Sequence, residues 1–486
     1  MMSISLILSF ITNSVLVRLI ISIIILLCVY FSNYFRMCYY VLKIPGPPAY
    51  PVIGNGLLLR GSHEEISNVM VKIFTKYNQL CRLWLGPVPI VIVSEPKIIQ
   101  EVLNNQNALE KGWIMKLITK IIARNSLIIA RVPQWKRSRN IIVKGFTVPI
   151  LKSYFNAILS KTTLDSVCAS SMGVDINSHE GDSSYFEALH RSFDIMIRRL
   201  FNPLIYPDMI YKLTQDYKQA MEYKDIVWSV ARKVISEKRN KYNNENINNN
   251  LMDFKAAIKN TYKKPLLDYM MDFTRNNPDF TDAQFEADIN FIIMAGFETV
   301  SKSISMVLLL LALHKDEQKK VCDELFEVLN NRNKIDFIDL PNFKYMEMVI
   351  KETMRLFPPV PIIARQLADD IDIESYRIPK GINIGFPIFC VHRNEKYWKN
   401  PLKFNPNRFS PENIKNHHPY AFIPFGGGPR NCIGDRYTWI FMKLTLASLL
   451  SRYEFHTDIK DLSEIRYELE ITIKIIGGYQ VRVTPR

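Results

Sequence analysis

The sequence is poor in cysteine, and its cysteines do not form pairs. They are odd in number, scattered along 486 residues, and none stands in a C-x-x-C arrangement. This argues against a disulfide framework and against a zinc knuckle. A reducing compartment fits this usage best, and most of the thiols are expected to be inert packing residues. The cysteines are Cys28, Cys38, Cys81, Cys168, Cys322, Cys390 and Cys432.

An excess of acidic residues is also missing. The chain has 62 Lys and Arg against 47 Asp and Glu, which gives a formal charge of +15. The basic residues are not interleaved with aromatic ones, as they would be in a nucleic-acid-binding stripe. The surplus therefore favours a membrane surface and an acidic partner protein, with no nucleic acid. A generally basic, solvated surface is the alternative that charge alone leaves open.

The N-terminal segment lacks charge. Between residues 3 and 34 the only charged side chain is Arg18, which can reach a membrane interface by extending its long stem. The run is long enough to span hydrocarbon, which takes roughly 20 residues. It has neither a basic beginning nor a clear small-residue cleavage site, so a cleaved signal peptide is disfavoured. Arg36 and Lys43 follow the run, and basic residues mark the cytosolic side. We predict a membrane anchor over residues 1–35.

The rest of the chain reads as a hinge and one large domain. Residues 36–55 are basic and rich in proline, which cannot continue a helix, so a stiff hinge is predicted there. Residues 56–486 are expected to form one catalytic domain, mainly α with small β-sheets. Its β-branched and aromatic runs predict strands, and one polar stretch predicts a solvent loop. The strands are expected near residues 80–93, 371–384 and 468–483, and the loop at residues 243–250.

The most informative segment is residues 425–434, FGGGPRNCIG. Its glycines and proline disfavour regular structure and allow tight turns. In such a loop the sulfur of Cys432 can accept backbone hydrogen bonds, and Arg430 adds positive charge; both favour a thiolate. A helix is predicted after Gly434, and the dipole at its N-terminus also favours an anion. A structural loop with a buried cysteine and a phosphate loop are the alternatives, but the latter lacks G-K-[ST].

This segment resembles the haem-binding signature of cytochrome P450, F-x-x-G-x-R-x-C-x-G, with every fixed position met. The resemblance extends from the proline-rich hinge to the C-terminus and implies the cytochrome P450 fold, preceded by a transmembrane helix. It also implies that Cys432 is the axial ligand of the iron of non-covalent haem b, because a Cys thiolate holds the iron in these enzymes. The loop residues expected to contact the haem are Phe425, Gly426, Arg430 and Gly434.

Two further elements match motifs that the family uses for structure. Glu352 and Arg355 form an E-x-x-R pair, which places both charges on one helix face. Arg408 follows in FNPNRF, which is similar to the P-[ED]-R-F element but has Asn407 at the usually acidic position. The resemblance implies that Glu352, Arg355 and Arg408 form a buried network that supports the cysteine loop. A surface ion pair is the alternative for Glu352 and Arg355.

Three cations are candidates to bind the haem propionates. Trp135 and Arg139 match W-x-x-x-R, lie one helical turn apart, and are expected to face a propionate. Arg430 comes from the signature, and Arg365 is the third candidate because it follows the E-x-x-R helix closely. A surface arginine is the alternative for each of the three.

Residues 295–299, AGFET, interrupt a long apolar stretch. An acid and a hydroxyl are costly to bury there without a partner. The segment resembles the oxygen-activation motif [AG]-G-x-[DE]-T, which implies that Thr299 bonds dioxygen and Glu298 relays protons. Ala295 and Gly296 would lie against the haem. The alternative is a kinked helix in which Thr299 bonds back to a carbonyl.

The run KETMRLFPPVP at residues 351–361 resembles the microsomal type, and with FNPNRF and AGFETVS it is most similar to the insect family-4 clan. The resemblance implies a monooxygenase in the endoplasmic reticulum membrane. It would use NADPH through NADPH–cytochrome P450 reductase, with cytochrome b5 as an optional partner. The substrate class is a fatty acid, hydrocarbon, hormone or xenobiotic. A haem sensor or carrier without turnover is the alternative; intact Glu298 and Thr299 argue against a peroxide isomerase.

Two departures from the clan matter for chemistry. Ala295 replaces a Glu that can esterify the haem in many ω-hydroxylases, so no covalent link is expected and terminal hydroxylation is not assumed. Thr438 stands where an Ala is usual, close under the haem.

A basic face for an acidic reductase is predicted on the cysteine side, made of Lys136, Arg137, Arg436 and Lys443.

Overall fold

The computed structural model describes residues 2–147, 151, 165, 168–172, 174, 184–248, 265–277, 279–332 and 334–486. Most of these residues are helical, as the sequence predicts. The α-helices are α1 Met2–Val41, α2 His63–Lys76, α3 Pro96–Asn104, α4 Trp113–Ala123, α5 Val132–Ile142, α6 Ser184–Phe201, α7 Asp208–Tyr211, α8 Gln215–Asn248, α9 Leu266–Asn276, α10 Asp282–Leu313, α11 Lys315–Leu329, α12 Lys344–Leu356, α13 Ile388–Val391 and α14 Asp435–Leu450.

The strands form small sheets. The largest has the order β1-β2-β6-β3, in which β2 and β6 are parallel and the other pairs antiparallel. The other described pairs, β4 with β5, β7 with β10 and β8 with β9, are antiparallel. The strands are β1 Leu80–Leu85, β2 Val88–Val93, β3 Ile363–Gln366, β4 Ile371–Ile373, β5 Tyr376–Ile378, β6 Asn383–Phe386, β7 Tyr453–His456, β8 Tyr467–Leu469, β9 Ile473–Ile475 and β10 Arg482–Pro485.

Helix α10 is the centre of the core. Its N-cap is Thr281, whose hydroxyl accepts from the amide of Gln284, and the helix then runs to Leu313. Such a cap satisfies one of the free donors of the first turn. The helix is apolar along much of its length and packs against α8, α9, α11, α12, α14 and β7. Its 32 residues are long and apolar enough to span a membrane, but 56% of its apolar part is buried, as expected of a core helix.

Helix α1 is bent by 51° between Val17–Val29 and Phe31–Val41, and the two parts together are long and apolar enough to cross a membrane. Its end is fixed to the sheets. The hydroxyl of Tyr34 donates to the carbonyl of Pro87 at 2.8 Å, and Arg36 pairs with Asp370. The helix thus enters the segment predicted as a hinge and ends before its prolines.

The predicted strands are confirmed, and the predicted polar loop is wrong in part. Residues 80–93 form the β1–β2 hairpin, and the other two regions contain β4 to β6 and β8 to β10. Residues 243–248, however, complete helix α8, whereas 249 and 250 lie outside the described residues. Asparagine has low helix propensity, but a helix that is already nucleated by a long preceding segment can extend through it.

Candidate active site

A cavity of about 230 Å³ lies between helix α10 and the loop of residues 425–434. Ala295, Gly296 and Thr299 form one wall, and Cys432 and its neighbours form the opposite wall. The cavity therefore brings together two motifs that lie far apart in the sequence. The other lining residues are Lys111, Leu127, Ile128, Trp135, Arg139, Phe146, Phe291, Ile292, Arg430, Asn431, Ile433, Gly434, Tyr437 and Thr438.

The cysteine loop is held by its backbone. The amide of Cys432 donates to the carbonyl of Phe425 at 2.9 Å, which closes the loop. Gly426 and Gly428 both have positive φ, 72° and 67°, a conformation that glycine adopts without strain. A Cβ on Gly428 would lie 2.0 Å from the carbonyl oxygen of Leu103. The glycine is therefore required for the loop to lie against the end of α3.

The side chain of Cys432 is accessible inside the cavity, while protein surrounds it on the other sides. Burial raises the pKa of the thiol to about 11, although a hydrogen bond from the Gly434 amide and the charge of Arg139 lower it. The predicted backbone donor is therefore present. The prediction that the protein alone favours the thiolate is wrong, because desolvation outweighs the donors. A cation at the sulfur would reverse that balance.

Arg430 does not supply the charge beside the sulfur. Its guanidinium donates to the carbonyls of Leu109 at 3.0 Å, Leu127 at 3.3 Å and Ala130 at 3.0 Å. It also stacks 4.0 Å from the centroid of the Trp135 ring. Arg430 thus ties the cysteine loop to the chain that precedes α5, and it still lines the cavity.

Arg139 is the cation on the cysteine side. Its two terminal nitrogens donate to Asn431, one to the carbonyl at 2.8 Å and the other to the side-chain oxygen at 2.6 Å. Trp135 and Arg139 share one face of α5 and both line the cavity, as the W-x-x-x-R spacing predicts. Their contact with a propionate stays a prediction.

A cluster of cations lies at one end of the cavity. Burial lowers the pKa of Arg365, in β3, to about 10, and burial and Arg365 lower that of Arg430 to about 9. Lys111 lines the cavity, and burial, Arg365 and Arg430 together hold its pKa well below the usual value. The Nε of Arg365 has no hydrogen-bond partner among the described residues. Desolvated like charges of this kind are stabilised by an anion.

Lys111 was not predicted from the sequence. It lies between Glu110 and Gly112 in a largely apolar region, where no motif marks it as a cation of the site. Only the packing of its segment against Arg430 and Arg365 identifies its role.

On the opposite wall, the hydroxyl of Thr299 donates to the carbonyl of Ala295 at 2.9 Å. The structure thus has the bonded-back hydroxyl that was the alternative for this motif, in a residue that also lines the cavity. Glu298 is buried and points away from the cavity, where its carboxylate contacts Lys302, His190 and Thr472. The two predicted catalytic residues therefore face different surroundings.

The predicted buried network is present. Arg355 donates two hydrogen bonds to Glu352, at 2.7 and 2.9 Å, and Arg408 donates a third at 3.3 Å. The amide of Asn405 adds a fourth at 2.9 Å. The side chains of Glu352 and Arg355 have no exposed surface. A surface ion pair, the alternative for this motif, is therefore wrong.

His392 connects this network to the cysteine loop, and no sequence motif pointed to it. Arg355 donates to the carbonyl of His392 at 2.8 Å, and the His392 ring accepts from the amide of Ile423 at 2.9 Å. The Ile423 carbonyl in turn accepts from Gly426. Burial lowers the pKa of His392 to about 3, so the ring is a neutral acceptor at physiological pH.

Comparison with known proteins identifies the family. The model of the cytochrome P450 family matches residues 44–160 and 152–482. The chain belongs to the cytochrome P450 family. It is 29% identical to cytochrome P450 4c21 of Blattella germanica, with 91% of this chain and 93% of that protein covered. It is 27% identical to human cytochrome P450 4V2, with 90% and 89% covered. The resemblance to family 4 is confirmed.

Membership makes the protein a haem-thiolate monooxygenase, an oxidoreductase with haem b as its cofactor. The site of this cytochrome P450 fits that group. Its cavity offers one thiol, on Cys432, and a cluster of desolvated cations suited to two propionate carboxylates. The glycine at position 296 leaves room for a flat ligand against α10.

Thr438, one of the two departures from the clan, is accommodated within its own helix. Thr438 lines the cavity, and its hydroxyl donates to the carbonyl of Gly434 at 2.9 Å, so the polar group is satisfied within its own helix.

Lys443, predicted on a basic face, is buried and donates to Glu347 at 2.7 Å and to the Leu340 carbonyl. Its prediction is wrong, because the α14 face that carries it packs inward. Lys136, Arg137 and Arg436 are exposed.

Proposed function

We propose that this cytochrome P450 inserts one oxygen atom of O2 into a lipophilic substrate, using electrons from NADPH delivered by a reductase. The observation that supports this most is the shared cavity, in which Cys432 faces Thr299 and Gly296 across an otherwise largely apolar space. When bound, haem supplies the oxygen-activation and electron-transfer chemistry that no side chain provides. The residues around it bind, orient and shield the reactants.

The proposed roles follow from these positions. Cys432 would hold the haem iron through its sulfur, and its loop provides a fixed geometry and one amide donor to that sulfur. Arg430, Arg139 and Lys111, which line the cavity, would hold the propionates, and Arg365, which does not line it, would act through its charge on Lys111 and Arg430. The other proposed haem contacts are Trp135, Gly434, Gly296 and Ala295, which line the cavity, and Phe425 and Gly426, which are not among its lining residues. Ala295 has no carboxylate, so the haem is held without an ester link.

Thr299 and Glu298 are the proposed catalytic residues. The Thr299 hydroxyl lines the cavity and keeps its acceptor lone pairs while its proton is donated to the Ala295 carbonyl. It can therefore accept a hydrogen bond from an oxygen species beside it. Glu298, the residue before Thr299, is proposed to relay protons.

The apolar part of the lining supports the proposed substrate class. Phe146, Phe291, Ile292 and Ile128 contribute aromatic and aliphatic surface, and few polar groups lie away from the cation cluster. Such a lining favours a fatty acid, hydrocarbon, hormone or apolar xenobiotic. Hydroxylation at a chain terminus is not part of the proposal.

The proposed setting is the endoplasmic reticulum membrane, with α1 as the anchor and the catalytic domain in the cytosol. The bent, apolar α1 supports this, as do Arg36 and Lys43 at its end. NADPH–cytochrome P450 reductase is the proposed electron donor, with cytochrome b5 as a second partner. Lys136 and Arg137 lie on α5, and Arg436 lies on α14, the helix that follows the cysteine loop. All three are exposed cations and would attract an acidic surface.

The test has two parts. The reduced, carbon-monoxide-bound protein is expected to give the Soret maximum typical of thiolate ligation, and Cys432→His is expected to abolish it. A wild-type spectrum typical of histidine ligation would refute the assignment of Cys432. NADPH-dependent oxygen consumption with reductase then separates the enzyme from a haem sensor or carrier, which would show the spectrum but no substrate-dependent turnover.

A further inference from the structure

A histidine and two glutamates meet where helix α2 packs against the β8–β9 hairpin. His63 is the first residue of α2, Glu468 lies in β8, and Glu470 directly follows that strand. One side-chain atom of each lies within 4.8 Å of the other two, and the described part of the chain holds no other such group of three. None of them lines the cavity beside Cys432. The cluster is therefore separate from the haem site.

The spacing of the cluster suits a small metal ion. Nδ1 of His63 lies 3.1 Å from Oε1 of Glu470. Two ligands of a tetrahedral zinc ion lie about 3.3 Å apart, because each is about 2.0 Å from the metal. The side chain of Glu470 is only 4% exposed, so the fold holds it in place. A hydrogen bond has a similar length, and the choice between the two therefore depends on the charge around the pair.

Carboxylates outnumber cations at this position. Lys474 on β9 lies 3.0 Å from Oε2 of Glu468, 3.7 Å from Glu470 and 3.5 Å from Asp194 of α6. One ammonium thus faces three carboxylates. Oε2 of Glu468 is buried, and it lacks a partner with hydrogen-bond geometry among the described residues. Buried charges are normally paired or coordinate a metal, and a divalent cation would neutralise the two carboxylate charges that Lys474 leaves unbalanced.

The neighbouring charges pair with one another and do not balance this excess. Arg466 donates to Glu64 at 2.8 Å, and Lys302 contacts Glu298 at 2.7 Å. Lys474 itself is 46% exposed, so its long side chain can extend into solvent when another cation takes its place. A metal ion can therefore replace the ammonium without leaving a buried, unpaired lysine.

We propose that His63, Glu468 and Glu470 form a binding site for a divalent transition-metal ion of the zinc type. An imidazole nitrogen with carboxylate oxygens suits zinc, whereas calcium and magnesium prefer oxygen ligands alone. Three protein ligands leave the fourth position of a tetrahedral ion to water. The bound ion would join α2 to the β8–β9 hairpin and stabilise the folded chain. This site is independent of the proposed monooxygenase function.

The test uses the haem-loaded, full-length protein in detergent, freed of other metals by a chelator that is then removed. We expect zinc chloride to bind in isothermal titration calorimetry and to raise the midpoint of thermal unfolding, because a ligand that binds only the folded state stabilises it. Magnesium chloride at the same concentration is expected to leave the midpoint unchanged. Absence of zinc binding, or equal shifts with the two ions, would overturn the proposal.

Two ligand variants locate the ion. His63→Ala and Glu470→Gln are each expected to weaken zinc binding by at least about tenfold, because even the loss of a residue that only supports a ligand costs about this much. Glu64→Gln is the matched control. It removes a carboxylate next to His63, but Glu64 pairs with Arg466 and lies outside the cluster, so wild-type affinity is expected. Unchanged affinity in the ligand variants, as for zinc held by thiols, or an equal loss in Glu64→Gln would refute the site.

Lys474→Met is expected to change the affinity in the opposite direction. It removes the ammonium that competes for Glu468 and Glu470, so zinc is expected to bind several-fold more tightly. Because Lys474 is half-exposed, this variant is expected to keep the wild-type haem spectrum, and it tests the site even where a ligand variant does not fold. Unchanged or weaker binding in Lys474→Met would show that the ion does not lie between these carboxylates.

Discussion

The two walls of the cavity are stabilised in different ways. The cysteine wall is fixed by backbone hydrogen bonds, by glycines whose positive φ other residues adopt only with strain, and by the fully buried pair Glu352 and Arg355. The α10 wall has a hydroxyl bonded to its own helix and an acid in contact with a half-exposed histidine. We propose that the first arrangement keeps a ligand in place and that the second supplies the catalytic residues. Disturbing each wall is expected to have different effects.

The largest effect is expected from Glu352→Gln. The change leaves Arg355 and Arg408 without their buried anion, and breaking a buried ion pair from one side costs about 3–5 kcal/mol. The expected result is a matching loss in the free energy of unfolding and little recovery of haem-loaded protein, measured by denaturant titration and by the carbon-monoxide spectrum. Asp458→Asn, at an exposed ion pair with Arg482, is the control. A loss as small as that of the control would contradict the structural role of the network.

Gly428→Ala is expected to cost about 3 kcal/mol of unfolding free energy, because it combines a strained backbone with an overlap against the Leu103 carbonyl. Gly478→Ala separates the two contributions. Gly478 has φ 75° and no neighbour within 4 Å of an added Cβ, so this variant carries only the backbone strain. Equal losses in the two variants would show that the close approach to Leu103 contributes nothing.

The cysteine wall is expected to weaken in acid through His392. Its pKa is about 3 in the folded protein against 6.5 as the ordinary value, so below pH 6.5 the unfolded chain binds the extra proton. Stability is therefore present above pH 6.5 and is lost as the pH falls, by about 2 kcal/mol between pH 6.5 and 5. His392→Gln is expected to flatten this part of the profile of unfolding free energy against pH. An unchanged slope in the variant would assign the loss to other groups.

The smallest effect on stability is expected on the α10 wall. Thr299→Val removes a hydroxyl whose bond is internal to the helix, so the free energy of unfolding is expected to change by less than about 1 kcal/mol. Product per NADPH is expected to fall and hydrogen peroxide to rise, because the hydroxyl beside the reacting oxygen is lost. Thr299→Ser, which keeps the hydroxyl, is expected to retain coupling close to wild type. Equal coupling in Val and Ser would argue against the proposed role of Thr299.

Much of the fold and of the site could be predicted from short segments. The β-branched and aromatic residues of positions 80–93 predict strands, which form the β1–β2 hairpin, and the spacing of Glu352 and Arg355 predicts a pair on one helix face. The glycine-rich loop around Cys432 and residues 295–299, which interrupt an apolar stretch of the sequence, predict the two walls. These features are local, because each depends on residues within a few positions of one another.

The sequence by itself determined the cofactor class of this protein, because the thiol, the glycines and the helical spacings that define it lie within single segments. Only the tertiary structure decided which charges face each other. It placed Arg139 rather than Arg430 beside the sulfur, buried Lys443, and added Lys111 to the cation cluster. It also brought His190 to Glu298. These partners come from distant parts of the chain, and an electrostatic contact depends on distance and burial, which are fixed only when the elements pack together.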